Sequence, residues 1–253
     1  MSDEVSEAIA SGEHGLAAGA RTARRVAAID CGTNSIRLLV ADVDVARFLL
    51  SDLRRDMRIV RLGEGVDQTG RLSPAALDRT MAALGEYAGE IRRLAPEAVR
   101  MVATSATRDA ENSQEFTTRV KDVLGVVPEV VTGDEEAGLS FTGATAGLTA
   151  DFAGPFLVAD IGGGSTELVL GDSAGVSAAA VHEIAVRLLA MTRERRAAIG
   201  VMHPGRVDVI GGGALILDRV MTRFGFPEVL VSEHDILDGI AWSLVPPVAQ
   251  ASR

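Results

Sequence analysis

Apolar positions in the first half of the chain switch between two periods. "VAAIDCGTNSIRLLVADVD", residues 26–44, is a pair of apolar runs broken at Asp30–Ser35 by polar residues and a glycine, the pattern of two short strands around a tight turn. A third strand is predicted over roughly 47–61, running into "RIVRLGEG". The period then becomes helical: Leu77, Met81, Leu84, Ala88 and Ile91 recur at three- and four-residue intervals. Ser73 is placed to cap this helix, Pro74 takes its first position and Pro96 stops it. "VRMVAT" at 99–104 predicts a fourth strand, residues near 112–124 a helix, "PEVVT" at 128–132 a fifth strand, and a further helix starts near Gly133. The order β-β-β-α-β-α-β-α implies a mixed sheet with helices over its faces.

The second half opens the same way, with strands predicted near 155–160, 165–171 and 175–181. A helical stretch over 182–200 follows, and "RVDVIGGGALILDRVM" reads as a strand, a glycine turn and a helix. "SEHDILDGIAWSLV" predicts a closing helix capped by Ser232, with Asp235 at its third helical position. The likeness of the two halves extends to single residues. Residues 27–44 align with 157–174 without a gap, pairing Asp30 with Asp160, Gly32 with Gly162, Ser35 with Ser165 and Leu38 with Leu168. An offset of this length is too long for a solenoid and indicates two related lobes. The expected division is a mobile extension over 1–24, an N-terminal lobe over 25–150 and a C-terminal lobe over 151–253. The second copy is the shorter by at least one helix and one strand.

Composition narrows the chemistry. With 47% hydrophobic residues the chain can build a substantial core, and no eighteen-residue window is free of polar groups, so no membrane partner is expected. A single cysteine, Cys31, excludes an internal disulfide and suits a reducing, cytoplasmic setting. The net charge of −10 argues against general binding of nucleic-acid backbone. Arg54, Arg55, Arg58 and Arg61 nonetheless fall close together, either as a solvated basic face or as a local anion path.

Both glycine turns are candidate phosphate cradles. Gly162, Gly163 and Gly164 allow backbone N–H groups to approach phosphate oxygens, with Ser165 beside them; Gly32, Thr33, Asn34 and Ser35 offer the same from the other lobe. Each alone could be a plain turn, and the duplication favours phosphate. Neither run continues into Lys-Ser/Thr, and each is followed by a strand, which removes the P-loop and dinucleotide-binding readings. Asp160 closes one strand, while Ser165 and Glu167 share a side of the next. That carboxylate pair suits Mg²⁺ or another divalent cation, unless Glu167 simply faces water. Asp134, Glu135 and Glu136 lie at a strand-to-helix junction, where a helix dipole alone would favour them.

"DCGTNSIRLLVADV", "VATSATRDAEN", "TGDEEAG", "ADIGGGSTELVLG" and "HPGRVDVIGGGALIL", taken in order, resemble the motifs of the exopolyphosphatase and guanosine-pentaphosphate phosphohydrolase family, particularly its short actinobacterial-type members. The resemblance covers roughly 25–243. It implies an α/β fold of two related lobes of mixed sheet with flanking helices, of the actin-like ATPase and ribonuclease H-like kind, with the second lobe shortened here. It also implies roles: Glu136 orients and deprotonates the attacking water, Arg108 contacts phosphate, and Asp160 and Glu167 hold the metal. Arg58, Arg61, His203 and Arg206 are weaker candidates for anion contacts. Cys31 has no histidine partner in view and is expected to be a small buried hydrophobe.

The implied activity is metal-dependent removal of terminal phosphate from inorganic polyphosphate or guanosine pentaphosphate, by water attack between the lobes. A homodimer is a further expectation. The pattern breaks between Val176 and Met191, where the family carries a longer segment that includes a strand. Its loss predicts an unpaired sheet edge and uncovered apolar surface, met by repacking, by a partner or by poor folding. Two alternatives stay open: an impaired member that binds polyphosphate or alarmone without turnover, and a superfamily ATPase or kinase.

Overall fold

The computed structural model describes residues 23–146, 158–161, 166–169, 176–200, 202, 204–229, 232 and 234–245, with backbone alone for 159–161, 166–169 and 228. Strands β1 (Ala23–Cys31), β2 (Ser35–Asp44) and β3 (Leu49–Ile59) form an antiparallel meander. A single turn, α1 (Val66–Thr69), precedes the long helix α2 (Pro74–Leu94). Ser73 caps α2 by accepting from the Ala76 N–H at 3.2 Å, so capping and the Pro74 start fall where the sequence places them.

The chain returns as β4 (Ala98–Ala103), parallel to β1, then forms the short turn α3 (Ser105–Arg108) and α4 (Ser113–Leu124). A two-residue β5 (Glu129–Val130) leads into α5 (Gly133–Thr145). The five strands lie in the order β3-β2-β1-β4-β5. β1 is central and buried on both faces, which is why it reads as a continuous apolar run rather than an alternating one. Ala27, Ile29 and Cys31 join the core under α2 and α4, while Val26 and Ala28 join a second core on the opposite face.

That second core is closed by the end of the chain. The later elements are β6 (Val158–Ile161), β7 (Thr166–Val169), β8 (Val176–Ser177), α6 (Ala178–Ala190), α7 (Arg193–Ala197), a 3-10 turn at Pro204–Arg206, α8 (Ile210–Phe224), β9 (Glu228–Val229) and α9 (Ile236–Ser243). β6 pairs with β7 and β8 with β9, both antiparallel. α9 leaves this region and lies on the five-stranded sheet, where Ile236, Leu237, Ile240 and Ala241 pack against Val26, Ala28, Leu39 and Val102. α5 and α9 cross at backbone contact. A Cβ on Gly143 would overlap the Asp235 carbonyl, and one on Gly239 the Leu139 carbonyl.

Several expectations need correcting. β1 begins at Ala23, so the last two residues of the expected 1–24 extension are strand. The strand expected over 175–181 ends at Ser177, because Ser177 accepts from the Ala180 N–H at 3.3 Å and starts α6 on an alanine run. Residues 206–213 hold neither a strand nor a glycine turn: Gly211, Gly212 and Gly213 sit in the first turn of α8. The closing helix is capped by Asp235 rather than Ser232. Its side chain accepts from the Leu237 N–H at 2.9 Å, and Asp238 answers from the third helical position by accepting from the Asp235 N–H at 2.9 Å. The capping box is real but sits three residues further on.

Candidate active site

The C-terminal ends of β1, β4 and β5 converge, and the chain leaves each through a polar segment. After β1, the Gly32 N–H donates to the Ser35 carbonyl at 3.0 Å and closes the Gly32–Asn34 turn. After β4, the Thr104 N–H donates to the Cys31 carbonyl at 3.2 Å, tying the 104–108 loop to that turn. Thr33 Oγ1 and Ser105 Oγ lie 3.0 Å apart. After β5, Thr132 caps α5 by accepting from the Glu135 N–H at 3.2 Å, which carries Glu136 into the first turn facing inward. Glu136 is only 7% exposed, whereas Asp134 and Glu135 are exposed. Helix-dipole stabilisation would favour acidic residues there but does not require burying one, so the burial of Glu136 separates it from its neighbours.

Arg108 faces Glu136. Its Nη1 donates to the Val131 carbonyl at 2.9 Å and lies 3.4 Å from Glu136 Oε2. The backbone contact fixes one edge of the guanidinium near the carboxylate, and the remaining N–H groups suit bidentate contact with a phosphate. The structure thus brings Gly32, Thr33, Asn34, Ser35, Arg108 and Glu136 to one end of the sheet. Gly162, Gly163, Gly164, Ser165 and His203 lie outside the described residues.

Asp160 and Glu167 are placed by backbone register, and here the repeat holds residue for residue. Asp30 stands opposite Arg37 across β1–β2, and Asp160 stands opposite Glu167 across β6–β7; Ile29–Leu38 and Ala159–Leu168 correspond likewise. Directly opposed residues on one face of an antiparallel pair have Cβ atoms about 5 Å apart. In the first hairpin the counterpart of Glu167 is cationic. Arg37 donates from Nη2 to Asp30 Oδ2 at 2.7 Å and also binds Asp235, the cap of α9. Sequence alignment of the two copies shows the Arg37/Glu167 difference, but not that Arg37 reaches a residue 198 positions away.

The remaining candidates separate. Burial, with the nearby Asp30 charge adding to it, raises the Cys31 thiol well above its ordinary range, so Cys31 stays a protonated core residue. Arg54 and Arg58 bind Asp56, and Arg58 also reaches Glu86 at 3.0 Å. Arg55 binds Asp52 and the buried Asp238. The arginine run is therefore an ion-paired sheet edge rather than a free anion path, and such charge also discourages edge-to-edge association. Arg61 is the exception, turned toward Asp208. Arg206 lies in the 3-10 turn before α8.

A five-stranded mixed sheet flanked by helices, with polar turns at its strand ends and a second hairpin repeating the first in register, defines the actin-like ATPase class of fold. Within that class, the model of the Ppx/GppA phosphatase family matches residues 39–184. Exopolyphosphatase 2 of Mycobacterium tuberculosis is 41% identical over 314 residues, covering 87% of this chain and 98% of the relative. A crystal structure of an exopolyphosphatase-like protein superposes with a TM-score of 0.81 at 32% identity, covering 88% of this chain and 98% of the other. An Aquifex aeolicus member of the Ppx/GppA family has the same fold, with a TM-score of 0.72 at 23% identity over 88% and 97% of the two chains. The chain belongs to the Ppx/GppA phosphatase family and is a hydrolase of that kind.

The same comparison measures what is missing. An alignment of 314 positions that takes up 87% of a 253-residue chain leaves roughly ninety positions at which the relative alone has residues. The family match ends at residue 184, inside α6 and inside the 176–191 interval where the motif pattern breaks. Among the described residues, β6 pairs only with β7, whereas its counterpart β1 pairs on both sides.

Proposed function

We propose that the chain removes terminal phosphate from inorganic polyphosphate. The observation that carries this reading is the buried Glu136 carboxylate beside Arg108, at the strand ends where the Gly32–Ser35 turn also opens. Arg108 and the backbone N–H groups of Thr33 and Asn34, with those that the glycine run at 162–165 offers, hold the terminal phosphoryl group. Glu136 accepts a hydrogen bond from a water in line with the scissile bond and takes its proton as the water oxygen bonds to phosphorus. The bridging P–O bond breaks, and the shortened chain leaves with the bridging oxygen. Asp160 and Glu167 are the residues that would hold Mg²⁺ or another divalent cation, which when bound neutralises charge spreading over the phosphoryl oxygens.

The identity to an exopolyphosphatase favours polyphosphate over guanosine pentaphosphate, which we place as a secondary substrate of the same site. The single, buried cysteine fits a reducing compartment, and we assign the protein to the cytoplasm. No described helix is long and apolar enough to cross a membrane.

A second reading has its own support. The roughly ninety absent positions favour a protein that binds polyphosphate and turns it over poorly or not at all. Phosphate release from long-chain polyphosphate, with and without Mg²⁺, separates the two. Release by the wild type that falls about a hundredfold or more in Glu136→Gln supports the hydrolase and its general base. Equal release by both proteins removes Glu136 from that role, and binding without release selects the second reading.

A further inference from the structure

One charged cluster at the edge of this site is used neither by the chemistry nor by the fold. Arg61 follows β3, and its backbone is held on the phosphate-turn candidate itself. The Arg61 and Val60 N–H groups donate to the Asn34 carbonyl at 2.8 and 3.0 Å, and Gly63 N–H donates to the Thr33 carbonyl at 2.9 Å. Arg61 adopts φ +49°, a left-handed conformation that an arginine takes only when its surroundings impose it. The guanidinium so aimed lies 3.7 Å from Asp208. From the other half of the chain, Arg193 binds the same carboxylate, Nε to Oδ1 at 2.8 Å. All three side chains are substantially exposed, so the bridge adds little to stability.

Two guanidinium groups from opposite halves of the chain therefore converge on one carboxylate beside a phosphate turn, and the trio keeps a net positive charge. We propose that Arg61 and Arg193 form an entry clamp for an anionic phosphate chain, with Asp208 occupying the place of a phosphate until a chain long enough to span the turn and the clamp displaces it. The proposal rests on the polyphosphate reading of the same site.

The physical basis is local concentration. Asp208 is tethered, so it competes for the two arginines at an effective concentration in the millimolar range, which a dilute small anion does not match. A phosphate chain already seated in the Gly32–Ser35 turn is tethered as well. Its following units reach Arg61 and Arg193 at comparable effective concentration, and each arginine can then bind phosphate oxygens bidentately. In this proposal a diphosphate does not hold the turn and the clamp together. Asp208 thus yields to a long chain, whereas a diphosphate held in the turn does not meet it.

The test is equilibrium binding of the full chain to polyphosphate of many tens of units and, separately, to pyrophosphate. Asp208→Asn is expected to bind polyphosphate about threefold to tenfold more tightly, with a steeper salt dependence, and to leave pyrophosphate binding unchanged. Arg61→Ala and Arg193→Ala are expected to weaken polyphosphate binding by a similar factor. If Asp208→Asn with a wild-type melting temperature binds polyphosphate no more tightly, the clamp is overturned. Equal tightening toward pyrophosphate overturns the dependence on chain length. Should Asp208→Asn not fold, wild-type polyphosphate affinity in both arginine variants overturns the clamp independently. Because the readout is binding, loss of phosphate release by the wild type would defeat the hydrolase reading while leaving this test intact.

Discussion

Thr107 and Asp238 show how differently a buried polar atom can be accommodated. Thr107 is fully buried, and its hydroxyl has no hydrogen-bond partner among the described residues. An unpaired buried hydroxyl costs on the order of 1 kcal/mol, so Thr107→Val, which keeps the branched shape, should raise the stability read from denaturant unfolding by about that amount. An unchanged or lower midpoint would mean that the hydroxyl is satisfied in solution. Asp238 is 1% exposed and fully engaged, by Arg55, His234 and the Asp235 N–H. Burial works against its ionisation, but the Arg55 hydrogen bonds, the Asp235 N–H and His234 outweigh that and hold its carboxyl below the ordinary value of 3.8. A lowered folded-state value means that the stabilisation is present above pH 3.8 and lost as pH falls through the folded value. Asp238→Ala should cost about 3 kcal/mol near neutral pH, and its stability should fall less steeply than the wild type's below pH 4. Parallel acid profiles would assign the acid sensitivity elsewhere. Neither residue stands out in the sequence, because a threonine after "SA" and an aspartate inside "ILDGIA" carry no local sign of what they meet.

Elements legible in the sequence were those whose cause is local. The apolar runs of β1 and β2, the helical period of α2, the Ser73–Pro74 start and the strand pairs that carry the duplicated aspartates all depend on neighbours within a few residues, and the structure keeps each of them. Two errors had non-local causes. The glycines of "VIGGGAL" predict a turn on propensity, yet they form the first turn of α8, where Gly211 lets Arg196 Nη1 and Leu189 approach closely. Ser232 offers a cap by sequence alone, but the helix starts where Gly239 can meet Leu139 of α5, and that crossing fixes the cap at Asp235. The crossing is itself testable. Gly143→Ala sets a methyl group against the Asp235 carbonyl, a backbone atom that cannot swing away, and should cost about 3 kcal/mol. Gly85→Ala, on open space within α2, should instead be neutral to stabilising. Equal thermal shifts for the two would show that α5 and α9 do not pack at backbone contact in solution.

Across the whole molecule, stability and function are distributed unequally. Both main cores belong to the five-stranded sheet, one under α2 and α4 and the other under α5 and α9. In the α6–α8 region the buried apolar residues among those described are few, chiefly Val181, Ala185, Leu188, Val207 and Met221, while Ile184, Leu189, Ile216 and Phe224 are exposed. This region includes the 176–191 interval where the family pattern breaks. A segment with little buried area opens at a lower free energy than the rest of its chain. Amide hydrogen exchange should therefore find β1, β2, β4 and α9 protected to the level of global unfolding, and α6 and α8 exchanging through a cheaper opening. The position of α9 makes the contrast sharp: it follows the weak region in sequence but shares the core of the strong one, so protection should rise again at Ile236. Long-chain polyphosphate should slow exchange in α7 and at the start of α8, because Arg193 opens α7, Asp208 precedes α8, and a phosphate chain held by the proposed clamp would join both to Arg61. Protection that is uniform from α6 through α9 without ligand would mean that the shortened region has acquired a core from elsewhere, with a second copy of the chain as the first candidate to examine by sedimentation.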